Sequence, residues 1–161
     1  MSIQPPECVV DASVAIKLFI AEPFSERADA LFAHLAADPP ARLYVPDLLF
    51  VECANILWKH VRRFGYSAEN ARQDVADLRA LALHNISTAG LIADALEIAL
   101  AYEITAYDAC YVALAQHLDV PLVTADEALE RKLKSTGYDV QLLSDFTIPP
   151  LPSGLSLPVL S

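Results

Sequence analysis

The chain is poor in several of the residue patterns that would assign it to a familiar class. It has three cysteines, Cys8, Cys53 and Cys110, too far apart for any local zinc spacing, which excludes a finger or ribbon. An odd count without an export signal is read as reduced, packed thiols rather than a disulfide frame. The four histidines are scattered, with neither metal-ligand spacing nor a paired nucleophile. No apolar run reaches the roughly 18 residues that a membrane helix needs, although hydrophobic residues make up 55% of the chain. The opening MSIQPPECVVDAS carries no basic segment and no apolar signal core, so a cytoplasmic protein is expected. Positive charge is also scarce: 11 Lys and Arg face 21 Asp and Glu, for a net charge of −10. This balance argues against broad electrostatic attraction to nucleic acid, which normally shows as a basic face. Chemistry on nucleic acid would need a bound metal, a local basic strip or a small basic partner.

What is present is a regular alternation. At 161 residues the chain fits one domain. A short apolar strand, Cys8 to Val10, stops on Asp11. Ser13 is placed to cap a helix of about two turns, Val14 to Ile20, and Ser25 to cap another, Glu26 to about Ala37. After Asp38-Pro39-Pro40 come a strand at Arg42–Val45 and a long helix from Pro46-Asp47 to about Gly65, a residue suited to a helix C′ position. On that helix Leu48, Val51, Asn55 and Trp58 share a face, with Glu52 beside them. A helix from Ser67 to about Leu83, a strand at Asn85–Thr88 and a helix at Leu91–Tyr102 follow. Thr105 caps a helix carrying Asp108 that ends near Asp119. A strand at Pro121–Thr124 leads to Asp126, a further helix and a last strand at Val140–Leu143. Short apolar strands alternating with helices predict a parallel sheet covered on both faces. Sites in such sheets lie beyond the carboxyl ends of the strands. There is no internal repeat. The division expected is 1–146 as the folded domain and 147–161 as a proline-rich, uncharged tail that packs on its own body or on a second subunit.

Four carboxylates stand out by position: Asp11, Glu52, Asp108 and Asp126. Each has an ordinary reading. Asp11 and Asp126 could cap helices, Thr105-x-x-Asp108 has capping-box spacing, and Glu52 could be a solvated helix residue despite apolar neighbours. Gathered at one sheet edge, however, four like charges repel and raise one another's pKa. A hard divalent cation relieves that repulsion, and oxygen-only ligands fit Mg²⁺ or Mn²⁺. Such a site serves phosphoryl chemistry, polarising the phosphoryl oxygen and activating water.

The segments VVDASVAIKLF, VECANILWKHV, ITAYDACYVALAQHLDVPLVTAD and ALERKL together resemble the PIN-domain family, most closely the VapC-type ribonuclease toxins of prokaryotic toxin–antitoxin pairs. The resemblance spans residues 8–146 and keeps the order and spacing of the four acids. It implies an α/β fold, three layers α/β/α around a five-stranded parallel sheet, and metal-dependent endonucleolytic cleavage of RNA. Asp11, Glu52, Asp108 and Asp126 correspond to the acidic quartet. Asp11 and Asp108 are expected to hold the metal directly, and Glu52 and Asp126 to hold its water or a second ion. Ser13, Thr124 and Asn55 match polar positions that could orient the carboxylates, and Lys17 could reach a phosphate. A homodimer and a small antitoxin, which often inserts a basic residue into the site, are the partners implied.

Lys59, His60, Arg62 and Arg63 form the main basic cluster, read first as cations at a helix C-terminus. Tyr107, Tyr111 and Trp58 are read as core aromatics. Two other functions compete: a PIN-like module binding RNA or protein without cutting, and a phosphatase or phospho-acceptor using Asp11. A haloacid-dehalogenase-like phosphatase needs a second Asp where Ser13 stands. A receiver domain needs paired acids and a late lysine that are absent.

Overall fold

Strands β1 (Glu7–Val10), β2 (Arg42–Pro46), β3 (His84–Ile86), β4 (Leu122–Thr124) and β5 (Val140–Leu142) form one parallel sheet in the order β3-β2-β1-β4-β5. This is a computed structural model, and it describes residues 3–152. Val9 of β1 aligns with Tyr44 of β2 on one side and Leu122 of β4 on the other. The chain builds outward from β1 to β2 and β3, then returns to lay β4 and β5 on the opposite side. The order therefore reverses between β1 and β4, the point where parallel sheets open a crevice.

Sequence explains the central position of these strands. Val9, Val10, Leu43, Val45, Leu122 and Val123 are all fully buried. Consecutive apolar residues suit strands covered on both faces. The covering helices are α1 (Ala12–Ala15), α2 (Ser25–Ala33), α3 (Leu48–Arg63), α4 (Ala68–Ala80), α5 (Ile92–Tyr102), α6 (Ala106–Leu118) and α7 (Glu127–Leu133). Helix α6 is buried nearly all round, from Ala109 to Ala115. The α3 helix stops where expected: Gly65 takes φ +68 and the amide of Tyr66 returns to the His60 carbonyl at 3.2 Å.

Several local expectations are corrected. Asp11, not Ser13, caps the first helix, because a carboxylate at the strand end already reaches the Val14 amide. The two-turn helix is one α turn followed by a 3₁₀ turn, Ile16–Leu18. Phe24, not Ser25, is the N-cap of α2, and that helix ends at Ala33 before a 3₁₀ turn over His34–Ala36. Thr88 begins a 3₁₀ turn rather than ending β3. The buried face of α3 is Leu49, Cys53 and Leu57, so Val51, Asn55 and Trp58 face outward. Trp58 and Tyr107 are 55% and 62% exposed, so only Tyr111 of the three aromatics is a core residue.

Beyond β5, Phe146 is buried and Ile148 packs against the core. Arg27 donates to the carbonyls of Leu143 and Phe146 at 2.8 and 2.5 Å. The ring of buried His34 hydrogen-bonds the Pro149 carbonyl at 2.8 Å. The rest of the tail, from residue 153, lies outside the described residues. Among those residues, no helix is long and apolar enough to cross a membrane.

Candidate functional site

The crevice is organised from β1. Asp11 follows the last residue of the strand in extended backbone (φ −100, ψ 178) and its Oδ1 accepts from the Val14 amide at 3.3 Å. Ser13 donates its hydroxyl to Oδ1 at 2.5 Å, and Thr124, the last residue of β4, donates to Oδ2 at 2.5 Å. Ser13 Oγ also accepts from the Ala125 amide at 2.8 Å. These bonds tie the ends of β1 and β4 together across the switch point and fix the Asp11 carboxylate. Asp11 is nonetheless 5% exposed. Burial, above all, pushes its carboxyl up to about 6, with Asp108 adding to the rise and the hydroxyl donors opposing it.

Glu52 lies on α3, half-buried, and accepts from the Tyr111 hydroxyl at 2.6 Å. Burial raises its pKa and the charge of Asp108 adds to it, while the Tyr111 bond pulls it down. Asp108 is in the first turn of α6, where its amide donates to Thr105 Oγ1 at 3.1 Å. Its carboxyl is raised by burial and then by Asp126, with Thr105 and Lys132 opposing. Asp126 caps α7: its Oδ1 accepts from Ala128 and Leu129 amides at 2.9 and 3.1 Å, and its own amide donates to Thr124 Oγ1 at 3.1 Å. The charge of Asp108 thus opposes ionisation of both Asp11 and Glu52, and Asp108 in turn feels the charge of Asp126.

A fifth carboxylate at this edge behaves otherwise. Asp47 follows β2 and accepts from the amide and hydroxyl of Thr88 at 3.0 and 2.5 Å. Those donors lower its pKa. It fastens the start of α3, and hydrogen bonds stabilise its negative charge with no neighbouring acid opposing it.

The oxygen-only, mutually repelling donor set fits a hard divalent cation. Among the described residues no three His, Cys, Asp or Glu side chains are grouped closely enough to hold a metal ion together. That is compatible with Mg²⁺, which keeps several waters and takes only one or two carboxylates.

The remaining expected residues divide. Ser13 and Thr124 sit on Asp11. Asn55 is exposed one turn after Glu52, and among the described residues no hydrogen bond joins it to the acids. Lys17 is 9% exposed and its ammonium pairs with Glu22 at 3.3 Å, so it is not a free cation beside the quartet. In the basic cluster, Arg62 lies over the Trp58 ring, 5.7 Å from its centroid, and His60 Nδ1 bonds the Ile56 carbonyl at 3.1 Å. The three cysteines are buried and unbridged. Burial pushes the Cys8 and Cys53 thiols up to about 12, leaving them as apolar packing. Two further side chains reach the acids without a mark of it in the sequence. Tyr111 is the core residue its spacing predicts, but a buried phenol needs a partner for its O–H, and that partner is Glu52. Lys132 Nζ donates to the Glu103 carbonyl at 2.7 Å and lowers the Asp108 pKa; nothing in local spacing marks that approach from α7.

Comparison with known proteins adds an independent line. The PIN domain profile matches residues 8–134. Ribonuclease VapC3 of Pyrobaculum aerophilum is 38% identical over 128 residues, covering 77% of this chain and 92% of that protein. The crystal structure of PAE2754 from Pyrobaculum aerophilum superposes with a TM-score of 0.65 at 24% identity, over 86% of this chain and 92% of that one. A toxin–antitoxin complex from Klebsiella pneumoniae has a chain of the same fold, with a TM-score of 0.57 at 14% identity over 84% of this chain and 97% of its own.

Proposed function

The chain belongs to the PIN domain family, and from that premise we propose that it is a VapC-type toxin, an endoribonuclease dependent on Mg²⁺ or Mn²⁺. The observation that carries this reading is the Asp11 carboxylate, buried at the β1/β4 switch point and held by the Ser13 and Thr124 hydroxyls, with the charge of Asp108 opposing its ionisation. Asp11 and Asp108 would hold the ion, Asp11 in the orientation set by Ser13 and Thr124. A bound divalent ion supplies electrophilic stabilisation of the phosphoryl group and lowers the pKa of water. Glu52, steered by the Tyr111 hydroxyl, would accept the proton of the attacking water, and Asp126, held by the α7 amides, would help to orient that water. Lys132 offsets part of the charge on Asp108.

RNA as substrate follows from the similarity to VapC3, a named ribonuclease. The protein's acidity makes the metal ion the main attraction for a phosphate. We assign the partner role to a small antitoxin, whose basic side chain would be the natural plug for the acidic edge. On α5, Ile92, Leu96 and Leu100 are exposed at 56%, 51% and 69% and recur at a four-residue interval. That stripe supports a homodimer. Reduced cysteines suit a cytoplasmic enzyme. Residues 1–146 are taken as the nuclease domain and 147–161 as its tail.

The test is incubation of total cellular RNA with purified, partner-free protein in Mg²⁺, Mn²⁺ or EDTA, beside Asp11→Asn. Discrete fragments that vanish with EDTA and with the variant are expected. Absence of cleavage by metal-loaded protein would turn the reading toward a binding module.

A further inference from the structure

A cavity of about 270 Å³ opens beside the acidic edge, lined by Lys17, Glu22, Phe24, Glu127, Leu142 and Ser144. Ala125, one residue before Asp126, forms part of its wall. We infer that this cavity is a nucleobase pocket that receives guanine from the RNA strand lying across the carboxylates. The inference rests on the ribonuclease reading and names part of its specificity.

Three features make the case. Phe24 has φ +69 and ψ 14, a left-handed conformation that is strained for an aromatic residue and easy for glycine. It is also 45% exposed, so its ring contributes little burial in return. The turn is held regardless of the ring: the Ser25 amide donates to the Glu22 carbonyl at 3.1 Å, the Glu22 amide to Ser25 Oγ at 3.0 Å, and the Arg27 amide to the Phe24 carbonyl at 3.0 Å. Backbone strain of this kind collects at functional sites. What Phe24 adds to the molecule is a partly exposed aromatic ring in the cavity lining, the kind of surface on which a base stacks.

The second feature is the pair at the cavity wall. Lys17 Nζ lies 3.3 Å from Glu22 Oε1, with side-chain exposures of 8% and 34%. A phosphate-binding lysine works best unpaired. Here a donor stands next to a carboxylate, the complement of guanine's edge, where O6 accepts beside the N1–H and N2–H donors. Adenine, cytosine and uracil each lack that run of one acceptor followed by two donors.

The third is placement. The cavity lies where β4 and β5 end, on the same side as Asp11 and Asp126. A base seated there keeps its own phosphates within the crevice, which fixes the register of the strand relative to the site.

The first test needs no cleavage. In EDTA, NMR titrations with GMP, IMP, AMP, CMP and UMP follow the Phe24 ring and the Lys17 side chain. GMP is expected to bind tightest, with IMP, which lacks the N2 amine, weaker. Phe24→Gly should keep the fold, because glycine relaxes the turn, and lose GMP affinity by about 10-fold. Glu22→Gln should lose the preference for GMP over AMP. In the second test, sequencing of fragment ends from total RNA should place guanine at one fixed offset from the cut for wild type, and spread that position over the bases for Glu22→Gln. Equal shifts from all mononucleotides, the same shifts from inorganic phosphate alone, or undiminished GMP binding by Phe24→Gly would overturn the pocket. Selective GMP binding without RNA cleavage would overturn the nuclease reading and keep the pocket; cleavage indifferent to guanine would do the reverse.

Discussion

Asp11 and Asp47 begin from the same sequence situation and end in opposite states. Each follows a central strand of the sheet and stands at the start of a helix. Asp47 is exposed, receives the amide and hydroxyl of Thr88, and is stabilised as a carboxylate. Asp11 also receives two hydroxyls and an amide, yet burial and Asp108 push it the other way, up to about 6. Donors therefore do not decide the matter. The switch point does, because it buries Asp11 while bringing Asp108 close. One carboxylate fastens a helix; the other holds charge in need of a cation.

The sharpest way to break the comparison is to remove each charge in turn. Asp11→Asn should lower metal-dependent RNA cleavage by at least about 100-fold, since even outer partners of metal ligands are worth 10–100-fold. Asp47→Asn should leave cleavage near wild type and lower the thermal midpoint modestly. Gel-resolved cleavage rates and thermal melts read both. Equal losses of activity would erase the distinction.

Stability against pH gives a second contrast, of opposite sign. A carboxyl raised from 3.8 to about 6 binds more protons in the folded state between those values. Without metal, Asp11 should therefore cost the fold about 3 kcal/mol as pH rises from about 4 to above 6. The raised carboxyls of Glu52 and Asp108 act in the same direction. Asp47, with its lowered pKa, instead contributes stability that is lost on acidification. Urea melts in EDTA should show this decline across pH 4–7 for wild type and a shallower one for Asp11→Asn; wild type without EDTA in saturating Mg²⁺ should show a reduced one.

A smaller effect is expected at Tyr111→Phe. Loss of its hydroxyl removes a bond that lowers the Glu52 pKa. Cleavage should fall by about 10-fold and the acidic limb of the pH–rate profile should move to higher pH. A uniform loss at every pH would indicate a packing defect instead. Smallest for single-site chemistry is Leu96→Asp on α5, which should shift the sedimentation coefficient to that of a monomer. The rate per chain on a short oligonucleotide should barely change.

Much of this was legible beforehand. The parallel α/β architecture follows from unbroken apolar strands such as Val9-Val10 and Leu122-Val123, and the positions of Asp11 and Asp126 follow from strand ends. Thr105 capping α6 and Gly65 ending α3 were also readable, because caps and left-handed turns are local. What failed depended on tertiary competition. Ser13 has the chemistry of a cap, but the nearer carboxylate of Asp11 takes that place and the hydroxyl turns to Asp11 and Ala125. Trp58 and Tyr107 have core chemistry but fall on outward faces. The Lys17–Glu22 pair and the reach of Lys132 toward Asp108 depend on how separate segments dock, and a single sequence carries no mark of either.

The most direct measurement of the central claim is a calorimetric titration of Mn²⁺ into wild type, Asp11→Asn and Asp47→Asn near pH 6. The account predicts saturable binding with proton release for wild type and for Asp47→Asn, and loss of both for Asp11→Asn. Wild-type affinity retained by Asp11→Asn, or no Mn²⁺ binding by the wild-type protein, would contradict it.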